Sequence, residues 1–446
     1  MINLAIVICN YNKCEYLLKC IDAVLNSSYK NYDIYVVDNA SIDNSVAQVK
    51  REFLNKVKLI VNKQNLGGSG GFNTGLREAL KKKYKYIMLL DNDAMVEEKS
   101  IEKAINYLEE NSEVGMLGFK LYSMDNPNQI QEFGADIDFE KFTIKPYYKG
   151  YVDDGNMPLV KECDYVPACA MIVRKEAVLK TGLMPEENFI YWDDIEWGYK
   201  FKLNNYKVIA YSDSIAWHKM GVKQRTNTFG TYYFWRNRVK FFKEYCNKIQ
   251  KEHFAKQLFD EMAQSICMCN YNEKYNSGTT ILRAVLDALY GINGKADENK
   301  IMSADIIKDK FNEMVIKNNY ITIMAHTDVN HITNLIERIR NLNKNAKIQV
   351  VTNNIEIKKQ VEIINVTFKE DEEKISKGDL VIETCDHVFN VLENMNNVNY
   401  SYVDKYFNVI YDNTDFNNLK KCLGTKETLF NILYPIIKEA LVLDVN

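Results

Sequence analysis

From Leu4 to Asp91 the chain alternates short apolar runs with amphipathic stretches, and nothing else in it constrains the fold as tightly. Leu4–Cys9 stops at Asn10, Tyr32–Val37 stops at Asp38, Val57–Val61 runs into Asn62, and Lys85–Leu90 stops at Asp91. Between the first two runs, Glu15 to Leu25 places Leu17, Leu18, Ile21, Val24 and Leu25 at spacings of three and four, the stripe of a helix packed on one side. This β-α-β alternation predicts an α/β fold with a parallel sheet, right-handed crossovers and ligands at the carboxyl ends of the strands. Asn10, Tyr11, Asp38 and Asp91 fall at such ends.

The run ending in Asp91-Asn92-Asp93 carries the first chemical expectation. Side chains alternate along a strand, so Asp91 and Asp93 are expected to share one face, where a divalent cation bridges them to a phosphate-bearing ligand. The triplet is weak evidence alone, because most such triplets are solvated turns or helix caps.

Composition narrows the rest. The 446 residues leave room for roughly two to three domains, and 46% hydrophobic content suffices for their cores. A net charge of -3 gives no global basic field, which argues against nucleic acid as a partner. The ten cysteines are scattered with no Cys-x-x-Cys pair, so neither a zinc site nor a disulfide framework is expected. A reducing cytoplasm fits them best. No apolar run approaches the roughly 18 residues of a membrane span, so membrane contact is expected to be peripheral.

Asn65 to Gly75, NLGGSGGFNTG, follows the third run. Its glycines are read as a loop that brings backbone amides close to a phosphate before a helix at Leu76–Lys82. It lacks the Gly-Lys-Ser/Thr ending of a P-loop and the register of a dinucleotide fingerprint. Together, Val7–Asn12, Val37–Ser41, the Asn65–Gly75 loop and Leu90–Asp93 resemble the ordered motifs of family-2 glycosyltransferases with the GT-A fold. The glycine-rich loop is most similar to that of bacterial galactofuranosyl- and rhamnosyltransferases. The resemblance covers about the first 245 residues. It implies a nucleotide-diphosphate sugar donor, with Asn10, Tyr11 and Asp38 at base and ribose, Asn65, Gly71 and Asn73 in the nucleotide site, and Asp91 and Asp93 reaching metal and diphosphate.

Tyr165–Arg174 continues the resemblance as a wall beneath the donor sugar, with Pro167-Ala168 departing from a pair that often contains glycine. Asp125–Asp154 is read as irregular with an edge hairpin. Asp193 and Glu196 have capping-box spacing, with Asp193 as N-cap and Asp194 first in the helix, where the helix dipole favours a carboxylate. The residues alone leave open whether either aspartate does more than start a helix. The resemblance makes Asp194 the catalytic base and puts Trp192, Asp193 and Glu196 on the acceptor side. It also adds His218 to Asp91 and Asp93, an oxygen-rich set suited to Mn2+ or Mg2+. In Phe229–Phe242, Arg236 and Arg238 are interleaved with aromatics, which suits either a lipid-linked, phosphate-bearing acceptor or a helix packed on the core.

Three regions are expected: a GT-A (Rossmann-like nucleotide-diphospho-sugar transferase) catalytic domain at 1–245, a helical region at 246–318 and a small C-terminal α/β Rossmann-like domain at 319–446. In the last, Ile321–Met324, Ile348–Val351, Val361–Phe368, Asp379–Ile382 and Tyr406–Tyr411 read as strands, with a final helix from about Glu427. The sequence assigns that domain no role: a second active site stays open, and partner docking or oligomerisation is at least as well supported. The expected activity is inverting, metal-dependent transfer of a sugar from a UDP- or dTDP-sugar to a glycan or lipid-linked acceptor in cell-surface polysaccharide synthesis, at the inner face of the plasma membrane. Galactofuranose and rhamnose are the sugars the resemblance suggests. A sugar nucleotidyltransferase and an inactive sugar-nucleotide-binding scaffold are the alternatives.

Overall fold

The computed structural model describes residues 3–219, 228–297, 299–305, 309–364, 366–369, 380–392 and 400–442. The chain opens with β1 (Leu4–Asn10), α1 (Cys14–Asn26), β2 (Tyr32–Asp38), α2 (Ser45–Phe53), β3 (Lys58–Val61), α3 (Gly67–Leu80) and β4 (Tyr86–Asp91). It continues through β5 (Ala94–Val96), α4 (Ser100–Glu110), β6 (Val114–Ser123), β7 (Ile130–Glu132), β8 (Ala135–Asp138), β9 (Thr143–Pro146), β10 (Val160–Cys163), β11 (Ala170–Arg174), α5 (Lys175–Thr181), α6 (Asp193–Leu203) and β12 (Lys207–His218).

These strands build a 10-stranded sheet in the order β10-β12-β6-β11-β4-β1-β2-β3, with β5 on β12 and β7 on β6. β4, β1, β2 and β3 run parallel, as the alternation predicts, and β11 enters antiparallel between β4 and β6. Period-two alternation sorts β1 cleanly. Leu4, Ile6 and Ile8 pack into the cluster containing α1 and α4, while Ala5 and Val7 face the cluster on α3. With both faces covered, β1 is a continuous apolar run.

α3 begins at Gly67, where a loop was expected as far as Gly75. A Cβ on Gly75 would overlap the Val7 side chain, and one on Gly71 would overlap Cys9 Sγ. The glycines therefore let a helix lie against the sheet more closely than any side chain permits. That contact offsets their poor helix propensity, about 1 kcal/mol each relative to alanine.

Beyond β12 come α7 (Thr228–Tyr245), α8 (Lys248–Tyr271), α9 (Tyr275–Leu289) and α10 (Lys310–Ile316). The second sheet follows through β13 (Tyr320–Met324), α11 (Val329–Leu342), β14 (Lys347–Val351), α12 (Ile355–Ile363), β15 (Thr367–Lys369), β16 (Leu380–Cys385), α13 (Val388–Val391), β17 (Ser401–Asp404), β18 (Val409–Ile410) and α14 (Asn413–Val442). Its order is β15-β14-β13-β16-β17-β18, parallel except for β18. The expected strand at 361–368 divides into the end of α12 and β15; Asn365 and Asp379 lie outside the described residues. The last helix starts at Asn413, because Asp412 Oδ1 accepts the amides of Thr414 and Asp415 at 2.8 and 2.9 Å and caps it. Ile437 and Leu441 then pack with Phe254, Leu258 and Phe259 of α8, tying the chain's end to the helical region. No helix among the described residues is long and apolar enough to cross a membrane.

Candidate active site

Asp91, Asp93 and His218 converge at the carboxyl end of β4. One ligand atom from each lies within 4.8 Å of the other two. His218 Nε2 stands 3.3 Å from Asp93 Oδ1 and 3.8 Å from Asp91 Oδ2. Strand alternation does not bring the carboxylates together, because β4 ends at Asp91 and Asn92-Asp93 form a turn into β5. β5 then pairs antiparallel with β12, setting His218 opposite Ala94. That register carries an imidazole from the far end of the domain to the triplet.

The three groups shift one another's protonation. Burial, then the neighbouring Asp93 charge, pushes the Asp91 carboxyl up to about 6. Burial acts on Asp93 in the same direction, but the His218 hydrogen bond and the charges of His218 and Lys13 hold it below the usual carboxylate range. Burial lowers His218, and the two aspartates outweigh that and raise it. Two carboxylate oxygens, which repel each other, and one imidazole nitrogen are a donor set that could hold Mn2+ or Mg2+.

Around this point the strand ends are laced together. Asn10 Nδ2 donates to Asp38 Oδ1 at 2.9 Å and to Ser41 Oγ at 3.1 Å, and Asn10 Oδ1 accepts from Asn92 Nδ2 at 2.6 Å. Asp38 Oδ2 accepts the Ser41 amide at 2.9 Å. Tyr11, just beyond β1, is 45% exposed. The expected nucleotide contacts of the glycine-rich stretch are internal instead. Asn65 Oδ1, just before the N-cap Leu66, accepts the Gly67 amide at 2.8 Å. Asn73 is fully buried and clips Met184 through both amide atoms, at 2.9 and 3.1 Å. Gly71 packs on Cys9, and a Cβ on Gly68 would lie 3.6 Å from Asp193 Oδ2.

Asp193 and Asp194 open α6 as its first two residues. The N-cap is Trp192, in a left-handed conformation with φ 64°, so the expected capping box is absent. Glu196 instead accepts from Asn188 Nδ2 at 2.9 Å and pairs with Lys200 at 2.8 Å. Asp193 is buried, with the charges of Asp194 and Asp91 near it, and is pushed up to about 8, chiefly by desolvation. Half-buried Asp194 rises only to about 6, because the amides of Ala168 and Ile195 donate to it at 3.3 and 2.8 Å and oppose its burial.

Trp192 does not offer a face to a sugar. Its ring is buried against Phe241 and Phe242, at 5.4 and 5.6 Å between centroids. Nor do the arginines of α7 reach the site. Arg236 is fully buried and donates to the carbonyls of Gly294, Glu187 and Asn188 at 2.6, 3.3 and 3.0 Å. Arg238 donates to Phe142 O at 2.8 Å and pairs with Glu261. Beside Arg236, Asn237 Nδ2 donates to the carbonyls of Asn188, Ile190 and Tyr191, at 2.8 to 2.9 Å. These bonds grip a strained approach to the carboxylates, in which Phe189, Tyr191 and Trp192 all have positive φ near 64°. Arg236→Met is expected to lower unfolding free energy by about 3 kcal/mol or more, because it strands buried carbonyls. Urea denaturation checks this; unchanged stability would return Arg236 to an acceptor-binding role.

Three contacts had no expectation attached. Lys13 pairs with Asp93, Asn92 ties the triplet to Asn10, and Gln131 Nε2 stands 2.6 Å from His218 Nδ1. The strand-end position of Lys13 and Asn92 was a usable signal. Gln131 gave none, since only the β6–β7 pairing brings it there.

Residues 5–178 match the family model described as "Glycosyl transferase family 2". An uncharacterized glycosyltransferase of Haemophilus influenzae is 29% identical over 116 residues, 26% of this chain and 35% of that protein. One of Methanocaldococcus jannaschii is 26% identical over 258 residues, 55% of this chain and 82% of its own length. Among solved structures, GalNAc-T7 with UDP, GalNAc and Mn2+ is 14% identical, with a TM-score of 0.47 over 59% of this chain and 51% of that one. The chain thus spans about a third of the Haemophilus protein and about half of the GalNAc-T7 chain. The likeness to glycosyltransferase family 2 thus covers residues 5–178, which include most strands of the first sheet.

Proposed function

We propose that this domain transfers a sugar, with inversion, from a nucleotide-diphosphate donor to a hydroxyl of a glycan or lipid-linked acceptor. The observation that carries the reading is the meeting of Asp91, Asp93 and His218 at the strand ends, with the Asp193–Asp194 pair close enough for Asp193 to sense Asp91.

Asn10, Asp38 and Ser41 form a rigid polar floor suited to a nucleoside, and the exposed Tyr11 ring is placed to stack on a base. Asp91, Asp93 and His218 Nε2 would hold Mn2+ or Mg2+. Such an ion supplies Lewis-acid stabilisation of the charge that develops on a departing diphosphate. Lys13, already paired with Asp93, adds a cation where a phosphate oxygen would lie.

Asp194 takes the acceptor's hydroxyl proton as that oxygen bonds to the anomeric carbon and the bond to the diphosphate breaks. A single displacement of this kind inverts the centre. Asp193, pushed to about 8, keeps its proton near neutral pH and acts as a hydrogen-bond donor. A UDP- or dTDP-linked galactofuranose or rhamnose is the first donor to try, and the inner face of the plasma membrane is the setting in which a lipid-linked acceptor would be met.

A thermal-shift screen of UDP, dTDP and GDP with and without Mn2+ tests the reading. A ligand at a hundred times its Kd adds about 2.7 kcal/mol, so one nucleotide is expected to raise Tm by several degrees only when Mn2+ is present. Equal shifts without the ion, or none with any nucleotide, would contradict it.

A further inference from the structure

His218 can serve a cation through Nε2 only if its proton resides on Nδ1, and among the described residues the hydrogen-bond partner of Nδ1 is Gln131. Gln131 is 8% exposed and stands at the centre of β7. Its amide nitrogen lies 2.6 Å from His218 Nδ1, while its amide oxygen, also buried, finds no hydrogen-bond donor among the described residues. A buried amide oxygen without a donor costs about 1–3 kcal/mol. Half a turn about the terminal torsion exchanges the amide's two ends, which have nearly the same shape.

We infer that Gln131 is a positioning residue of the cation site: its amide oxygen accepts Nδ1–H of His218, fixing the tautomer whose Nε2 lone pair faces Asp91 and Asp93. The inference rests on the cation-site reading above and deepens it. Ring nitrogens of metal-binding histidines are commonly held this way by a carbonyl or carboxylate behind them, and loss of the partner costs roughly 10- to 100-fold in metal affinity.

The backbone around Gln131 is built to hold still. The Ile130 amide donates to Tyr151 O at 2.7 Å, and Ile130 O accepts the Gly150 amide at 2.8 Å. The 150–152 segment is anchored on α12, where Tyr151 Oη donates to Glu356 at 2.8 Å and the Val152 amide donates to Gln360 Oε1 at 2.7 Å. The second domain thus braces the strand that carries Gln131.

The test is Mn2+ titration by calorimetry of the full chain and of Gln131→Met, Gln131→Glu and His218→Ala. Alongside it, 15N-histidine spectra of the Mg2+-loaded proteins report the ring tautomers, and His218→Ala assigns its signal among the five histidines. Gln131→Met has similar length and no acceptor, and is expected to weaken Mn2+ binding roughly 10- to 100-fold and to lose the hydrogen-bonded Nδ1–H signal. Gln131→Glu retains an acceptor and is expected to keep both within a few-fold. Unchanged affinity and tautomer in Gln131→Met, with His218→Ala impaired, overturn the inference and leave the cation site standing. If Gln131→Met does not fold, Gln131→Glu decides: a loss of affinity of about tenfold or more there overturns the inference too. A wild-type chain that takes up no Mn2+ overturns the cation-site reading itself, and this one with it.

Discussion

Asp194→Asn is expected to lower sugar transfer by about 10²- to 10⁴-fold while leaving nucleotide binding within a few-fold of wild type. The size follows from removing the proton acceptor alone. Asparagine keeps the shape, and its one carbonyl oxygen retains the shorter of the two amide bonds, from Ile195 at 2.8 Å, while the longer one from Ala168 is lost. The pH dependence gives a second signature. Asp194 works ionised, and its carboxyl stands at about 6, so wild-type transfer should fall roughly tenfold per unit below that pH and level off above it. The variant's residual rate should lose that limb. Initial rates with a saturating donor measure both. A fully active Asp194→Asn moves the role to Asp193, for which the same substitution is the matching control.

Much of this arrangement was legible before any coordinates, for identifiable reasons. β1 and β4 are buried on both faces, as is β2 from Ile34 on, so each carries a continuous apolar run, and each ends at a polar residue, Asn10, Asp91 or Asp38. What local pattern could not carry was pairing over distance. His218 meets the triplet through the β5–β12 register, and Gln131 meets His218 through β7 on β6. Neither pairing leaves a mark in either segment alone.

Elsewhere, local rules pointed the wrong way because tertiary contacts prevailed. Gly67–Gly75 reads as a loop by propensity and folds as a helix because close contact with Val7 and Cys9 is worth more than propensity. Asp193 reads as an N-cap, but Phe189, Tyr191 and Trp192 take positive φ while Arg236 and Asn237 of α7 hold the carbonyls of Asn188, Ile190 and Tyr191, and the cap falls on Trp192. Arg236 and Arg238 look like surface cations beside aromatics, and they serve as buried donors to backbone carbonyls.

Asp91→Asn is expected to do two opposite things at once. The folded state holds the Asp91 proton more tightly than the unfolded chain does, through burial and the Asp93 charge. Above the unfolded value near 3.8, its ionisation therefore weighs against folding, increasingly so up to about 6 and constantly beyond. Removing that charge should raise the ion-free Tm at pH 7.5, an exchange of stability for function that sites of converging like charges commonly show. The same change removes a hard oxygen anion from the cation site, so Mn2+ affinity should fall by about 10²-fold or more, equivalent to about 3 kcal/mol. A general defect of folding would lower both quantities together.

The central claim is that one divalent cation sits among Asp91, Asp93 and His218 and carries the donor's diphosphate. Crystals grown with Mn2+ and UDP, with data collected at the manganese absorption edge, test it most directly. The account predicts one strong anomalous peak about 2.1 Å from an oxygen of each aspartate and from His218 Nε2, with diphosphate oxygens completing the shell. A nucleotide bound with no peak at that point, or a peak ligated by other residues, would contradict it.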